Sequence, residues 1–383
     1  MRPVIDQVEV APTELAAWLD DPGRDIVVVD LRAPGEVERW RVEGAREVPR
    51  IERPYWDVLG TPELLEPEIP ESAVAVAICA HGSTSALVAE ELRGIGVPAV
   101  NLQGGMLRWG QSHVARTVPG MPEGTYLVQL ERLGKGCLSY VAGVRGGPAM
   151  IVDPDRFDDA YLHAVGAHRS RVESVVDTHL HADHISGGAS LADVTGSAYF
   201  LADDAGASVD HIHADNGDLL LDGQVSAQAV ALDSPGHTPG SMGILVAGRF
   251  LLSGDTLFVR GVGRPDLGGQ ADAWGRELHR TLTERLAHLP DDVVVLPAHF
   301  QEQTEARPDG IFAATLGELR AHAEFNEGVE EFLEDVIGQA RPAPAEYAQI
   351  RKVNLGIEHL ASDRLDELET GKNQCAAGGA VAA

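Results

Sequence analysis

The stretch DTHLHADHISGG, residues 177–188, sets His179, His181, Asp183 and His184 within six residues. The H-x-H-x-D-H spacing does not follow one face of a helix; it suits a turn on which alternate side chains converge on one point. Imidazole and carboxylate bind zinc, iron and manganese alike, so ligand type alone leaves the metal open. Three further side chains follow apolar runs downstream: His237 in DSPGHTPGS, Asp255 in LLSGDTL and His299 in VVVLPAHF. Glycines beside His237 and Asp255 permit close backbone approach in a crowded site. A second reactive group lies upstream, where CAHGSTS, residues 79–85, follows AVAVAI and leads into ALVAEELRGIG. A loop between strand and helix turns its N–H groups inward and, with the helix N-terminus, cradles an anion. A cysteine at its start is held as thiolate, the nucleophilic form. Cys79 is therefore the candidate nucleophile, and Ala80, His81, Gly82, Ser83, Thr84 and Ser85 the candidate anion-binding loop.

Positioning such groups requires a scaffold, and at 383 residues the chain exceeds what one core usually organises. Residues 1–112 alternate DIVVVDLR, AVAVAICA and VPAVNLQGG with the amphipathic APGEVERW and SALVAEELRGIG. That alternation predicts an α/β domain with a doubly wound parallel sheet. Residues 113–123, in the stretch GQSHVARTVPGMPEGT with two prolines, three glycines and no apolar periodicity, read as a linker. In residues 124–370, apolar runs broken by glycine-rich turns predict antiparallel strands, and RVESVVD predicts a buried strand whose C-terminal end enters the histidine cluster. Residues 311–337 predict covering helices, and residues 371–383 a disordered tail.

Composition excludes some partners. The net charge of −29, from 59 acidic against 30 basic residues, repels a polyanion, so nucleic acid is not expected. No apolar run reaches the roughly 18 residues of a membrane span, and the opening MRPVIDQVEVAPTE lacks a secretory core; a cytoplasmic protein is expected. Three scattered cysteines are too few for a disulfide framework. Cys137 reads as a small buried apolar residue, and Cys375 falls in the tail. His163 and His288 stand alone, and His211 and His213 lie in an acidic loop, so all four read as structural.

The order of the seven ligand-type side chains resembles the metallo-β-lactamase fold superfamily over about residues 124–310. The resemblance implies an αββα sandwich with metals at one edge. In hydrolytic members, His179, His181 and His237 would hold one zinc, Asp183, His184 and His299 a second, and Asp255 would bridge them. The segment GDTLFVRGVGRPDLGG, residues 254–269, is similar to persulfide dioxygenases, relatives of the glyoxalase II thioesterases. That similarity implies one Fe(II) per chain on His179, His237 and Asp255, with His181, Asp183, His184 and His299 orienting ligands and water. A two-histidine, one-carboxylate triad leaves positions open for a substrate sulfur and dioxygen. Zinc activates water but has no redox chemistry. The implied reaction oxidises a thiol persulfide with O2 to sulfite and thiol. Arg260 and Arg264 are the implied anchors for the carboxylates of a thiol such as glutathione. The proline after Arg264 departs from the family pattern and bears on which thiol fits.

Residues 11–112 resemble rhodanese domains through VVDLR, Glu36 with VEGAREVP, the Cys79 loop and LQGGMLRW. The family carries a persulfide on its cysteine and passes sulfur between thiosulfate or persulfides and thiols. Ala80 replaces an arginine often found there, which leaves thiosulfate affinity open. Ser85 occupies the position where a C-x5-R phosphatase loop would have arginine. The two resemblances together imply a fusion for sulfide oxidation that uses thiol persulfide, O2 and thiosulfate or sulfite, as a homo-oligomer. The alternatives are a dinuclear zinc thioester hydrolase of the glyoxalase II type and a non-catalytic sulfur carrier.

Overall fold

The computed structural model describes residues 2–44, 46–202, 206–222, 228–338 and 342–376. Two compact units emerge: one runs through Val114 and includes Arg132–Lys135 and Thr370–Lys372; the other comprises Ala115–Glu131, Gly136–Glu369 and the segment from Asn373.

In the first unit, strands β1 (Glu9–Val10), β2 (Ile26–Asp30), β3 (Arg50–Glu52), β4 (Val74–Ile78) and β5 (Ala99–Leu102) form a sheet in the order β1-β5-β4-β2-β3. Every neighbouring pair is parallel. β2 and β4 are buried along their whole length, which explains their continuous apolar sequence: both faces of a parallel sheet are covered. Alternate residues divide between two cores. Ile26, Val28 and Val76 join Trp18 and Trp109 on one face, while Val27, Val29, Ala75 and Ala77 meet Val88 and Leu92 on the other. Helix α1 (Pro12–Asp20) serves the first face and α4 (Ser83–Gly94) the second; α2 (Pro34–Arg39), α3 (Tyr55–Val58) and α5 (Gly105–Gly110) complete the unit.

The second unit stacks two sheets. Strands β6 (His113–Thr117), β7 (Thr125–Arg132), β8 (Cys137–Val144), β9 (Pro148–Val152), β10 (Arg171–Asp177), β11 (Ala198–Leu201) and β12 (Ile212–His213) run in the order β12-β11-β10-β9-β8-β7-β6. The second sheet orders β13 (Leu219–Leu221), β14 (Ala229–Asp233), β15 (Met242–Val246), β16 (Phe250–Gly254), β17 (Val294–Pro297) and β18 (Ala314–Thr315) sequentially. Leu138, Tyr140, Met150 and Val176 of one sheet meet Ala231, Ile244, Leu252 and Leu296 of the other in a shared core. Helices α6 (Asp159–Ala167) and α7 (Gly188–Thr195) cover the first sheet's outer face, and α8 (Ala271–Arg280) and α10 (Val329–Gly338) cover the second's. The result is the αββα sandwich.

Three expectations need correction. The segment expected to be a linker contains β6, an edge strand in which no side chain is fully buried. An edge strand gains its place through one neighbour's backbone and carries little apolar signature. The expected covering helices begin instead with β18 and a single-turn α9 (Leu316–Leu319), capped by reciprocal Thr315 and Glu318 bonds. The expected disordered tail is anchored through residue 376: Cys375 is buried, its carbonyl accepts from the Arg264 N–H at 2.9 Å, and the Gln374 N–H donates to the Tyr347 hydroxyl at 2.7 Å. Tyr347 begins α11 (Tyr347–Asn354), which precedes α12 (Ser362–Leu368). These partners are tertiary, so composition could not announce them. Residues 377–383 lie outside the described residues. Among the described residues, no helix is long and apolar enough to cross a membrane.

Candidate metal centre

Strand ends deliver the cluster. His179–His184 follow β10, His237 lies on the loop after β14, Asp255 follows β16 and His299 follows β17. None of the seven ligand-type residues is more than 2% exposed. Gly254 makes the turn before Asp255 at φ 54°, where an added Cβ would lie 2.7 Å from Thr178 Oγ1. Glycine is thus required by both conformation and space.

His179, His237 and Asp255 each offer a ligand atom, all within 4.8 Å of one another. Asp255 Oδ2 lies 3.6 Å from His179 Nε2 and 3.5 Å from His237 Nε2. His179 Nε2 and Asp255 Oδ2 are buried without a hydrogen-bond partner. Buried orphans of this kind are costly, and a cation shared between them removes the cost. Outer contacts fix the tautomers. His237 Nδ1 donates to the Arg264 carbonyl at 2.9 Å, leaving the lone pair on Nε2. The Thr178 hydroxyl donates to Asp153 Oδ2 at 2.9 Å and accepts from His179 Nδ1 at 3.0 Å, with the same effect. Burial, reinforced by neighbouring His181, holds His179 well below the ordinary imidazole value, and burial lowers His237. Burial opposes ionisation of Asp255, but His299 and His179 outweigh it and keep the carboxyl below its usual range. Two neutral imidazoles and a carboxylate are the forms that bind a divalent metal.

His181 donates from Nε2 to Asp153 Oδ1 at 3.1 Å, and its Nδ1 is buried without a partner. The other members form a second group. One ligand atom each from Cys137, Asp183, His184 and His299 lie within 4.8 Å of one another, as do one each from Asp255, His299 and Cys375. Asp183 Oδ1 accepts from His184 Nδ1 at 3.2 Å, and Oδ2 from His299 Nε2 at 3.0 Å and the Cys137 thiol at 3.1 Å. His299 Nδ1 donates to Asp255 Oδ1 at 2.5 Å. Burial disfavours charge on Asp183, His184 and His299; nevertheless His299 and His184 hold Asp183 well below the usual carboxylate range, while Asp183 raises His184 and Asp255 with Asp183 raises His299.

Sequence reasoning missed four contributors. Asp153, at the end of β9 with φ 51°, binds the Thr178 N–H and hydroxyl as well as His181; its signal was a strand ending in Asp-Pro. The Arg264 carbonyl, Cys137 and Cys375 had no sequence signal. Cys137 reaches the cluster because its backbone bridges His299. The expected anchors diverge. Arg260 is exposed, whereas Arg264 is 3% exposed and pairs Nε and Nη2 with Asp266 at 2.8 and 2.5 Å.

In the other unit, Cys79 directly follows β4 and faces the N-terminus of α4. Its Sγ accepts from Gly82 N at 3.1 Å, Ser85 N at 3.4 Å and Ser85 Oγ at 3.1 Å. Burial raises its pKa, but the Ser85 hydroxyl and the backbone N–H groups outweigh burial, so the thiol ionises below its ordinary value. Gly82, at φ 85°, admits the backbone of Gly104, whose N would lie 2.8 Å from an added Cβ.

Residues 133–299 match the family described as the metallo-beta-lactamase superfamily, and residues 11–112 the rhodanese-like domain. The chain is 33% identical over 131 residues to "Persulfide dioxygenase ETHE1, mitochondrial" of Homo sapiens, covering 34% of this chain and about half, 49%, of that protein. It is 34% identical over 234 residues to a hydroxyacylglutathione hydrolase of Anaeromyxobacter dehalogenans, covering 58% of this chain and 82% of that protein. A crystal structure of a metallo-beta-lactamase from Staphylococcus aureus superimposes with a TM-score of 0.56 at 25% identity, covering 63% of this chain and 75% of that one.

Proposed function

The chain belongs to the metallo-beta-lactamase superfamily and carries a rhodanese-like domain, and from that premise we propose that it is an iron-dependent persulfide dioxygenase coupled to sulfur transfer on Cys79. One observation carries this reading: the buried, unpartnered His179 Nε2 and Asp255 Oδ2 converge with His237 Nε2, whereas Asp183 and His299 are bonded to one another. One Fe(II) on His179, His237 and Asp255 would supply redox chemistry and open coordination positions for a sulfur and dioxygen. The overall change balances as R-S-SH + O2 + H2O giving R-SH, sulfite and two protons: the terminal S–S bond breaks, and its sulfur loses the four electrons that O2 gains.

The chain's own groups set the conditions for that change. The Arg264 carbonyl and Thr178 orient His237 and His179, Asp153 holds His181, and burial of the whole cluster excludes bulk water. Cys79, as thiolate, attacks the sulfane sulfur of thiosulfate or of a thiol persulfide, the donor's S–S bond breaks with sulfite or the thiolate leaving, and the sulfur stays on Cys79 as a persulfide beside the Ser85 and Gly82 donors. A low-molecular-weight thiol persulfide such as glutathione persulfide is the proposed substrate of the metal centre.

The test is oxygen consumption by anaerobically iron-loaded protein with glutathione persulfide, with sulfite and metal measured on the same sample. Catalytic uptake, stoichiometric sulfite and about one iron per chain support the proposal. A dinuclear zinc thioester hydrolase is the second reading, favoured by the complete seven-residue set and by the hydroxyacylglutathione hydrolase relative. Thioester hydrolysis with two zinc ions and no oxygen uptake would replace the first reading with this one.

A further inference from the structure

Seven ligand-type side chains are enough for two metal ions, yet the two halves of the cluster are unlike. In the His179, His237 and Asp255 half, ligating atoms are left over: His179 Nε2 and Asp255 Oδ2 have no partner. In the other half they are consumed. Asp183 receives His184 Nδ1 on one oxygen and both His299 Nε2 and the Cys137 thiol on the other. His299 has its second nitrogen on Asp255 at 2.5 Å, so neither ring nitrogen can coordinate without losing a hydrogen bond. Only His184 Nε2 remains unpartnered there. A second thiol lies on the other side of His299: Cys375, 1% exposed, places its sulfur within 4.8 Å of ligand atoms of Asp255 and His299. The Cys137 thiol donates to Asp183 at 3.1 Å, and both sulfurs fill volume among the ligand-type groups.

We propose that Cys137 and Cys375 restrict this centre to one ion: their thiols occupy the second-cation position, and Cys137 helps tie Asp183 into the hydrogen bonds that hold His184 and His299. The inference rests on the single-metal reading above and adds the residues that enforce it. It also assigns a specificity role, because two-metal hydrolysis depends on the ion these thiols exclude.

The experiment uses the full chain, titrated anaerobically with Co(II) and desalted, with cobalt per chain and the visible spectrum recorded. Wild type is expected to retain about one Co(II) without a thiolate-to-cobalt charge-transfer band, and Cys137→Ala with Cys375→Ala to retain about two. Cys137→Ser with Cys375→Ser, which keeps a donor of similar size at each position, should stay at one. Two ions in wild type would overturn the proposal, and so would a thiolate band, which would make a cysteine a ligand. So would a folded alanine pair that keeps one ion with the wild-type spectrum. Should the pair not fold, Cys137→Ala alone decides by the same count. Oxygen uptake is read separately: its absence sinks the dioxygenase reading while the metal count still judges the thiols.

Discussion

Cys79 collects its donors from residues no more than six positions away, whereas His179, His237, Asp255 and His299 come from four segments set at the ends of β10, β14, β16 and β17. The cysteine loop is a local device: backbone N–H groups and a helix N-terminus stabilise an anion wherever a strand leads into such a turn. The metal centre is a tertiary device, and its ligand states depend on partners supplied by other strands, such as Asp153 from β9 and the Arg264 carbonyl. Two sites so differently built should fail independently, and differently.

The largest effects should dissociate the two activities. Replacing Cys79 by alanine is expected to lower sulfur transfer by about 10³-fold or more, as loss of a nucleophile does, while oxygen uptake by iron-loaded protein stays near wild type. His237→Ala should do the reverse, abolishing uptake and leaving sulfur transfer to Cys79 intact. Loss of both activities in either variant would break the comparison.

Metal removal should act on one unit alone. With free metal at about 100 times its Kd, binding contributes about 2.7 kcal/mol, so chelation should lower the calorimetric transition of the second unit by several degrees and leave that of the first in place. A shift of both transitions would contradict separate units.

A smaller effect sharpens the claim that the metal centre depends on its surroundings. Asp153→Asn weakens the partner of His181 and Thr178, and it should lower metal affinity about 10- to 100-fold, measured by competition with a chromophoric chelator. Unchanged affinity would remove Asp153 from the centre.

The smallest effect tests the local device. Ser85→Ala removes the hydroxyl donor to Cys79, and losing one bond to a charged acceptor should slow alkylation near neutral pH by about tenfold. Because the donor favours the thiolate, its loss raises the pKa, so the rise of reactivity with pH should move to higher pH. An unmoved profile would leave the backbone N–H groups as the whole cradle.

Much of both sites was legible because local pattern and function coincide. The strand-loop-helix order around Cys79 and the apolar runs before each metal-type residue are patterns of adjacent residues. Arg264 shows the limit: its arginine type suggested a substrate anchor, yet its carbonyl orients His237 and its guanidinium pairs with Asp266. A backbone carbonyl has no signature in side-chain type. Asp153 was hidden for a related reason, since a single Asp-Pro after a strand is common and says nothing of which histidine it will face.

Reading the chain alone predicts two α/β units, seven ligand-type residues and one cysteine loop, because apolar periodicity and short motifs are local properties of a chain. Only the folded chain decides that the C-terminal segment through residue 376 is anchored, that Asp183 and His299 satisfy one another, and that Cys137 and Cys375 flank them. Those facts are distances between residues far apart in sequence, and such distances exist only once the sheets have packed.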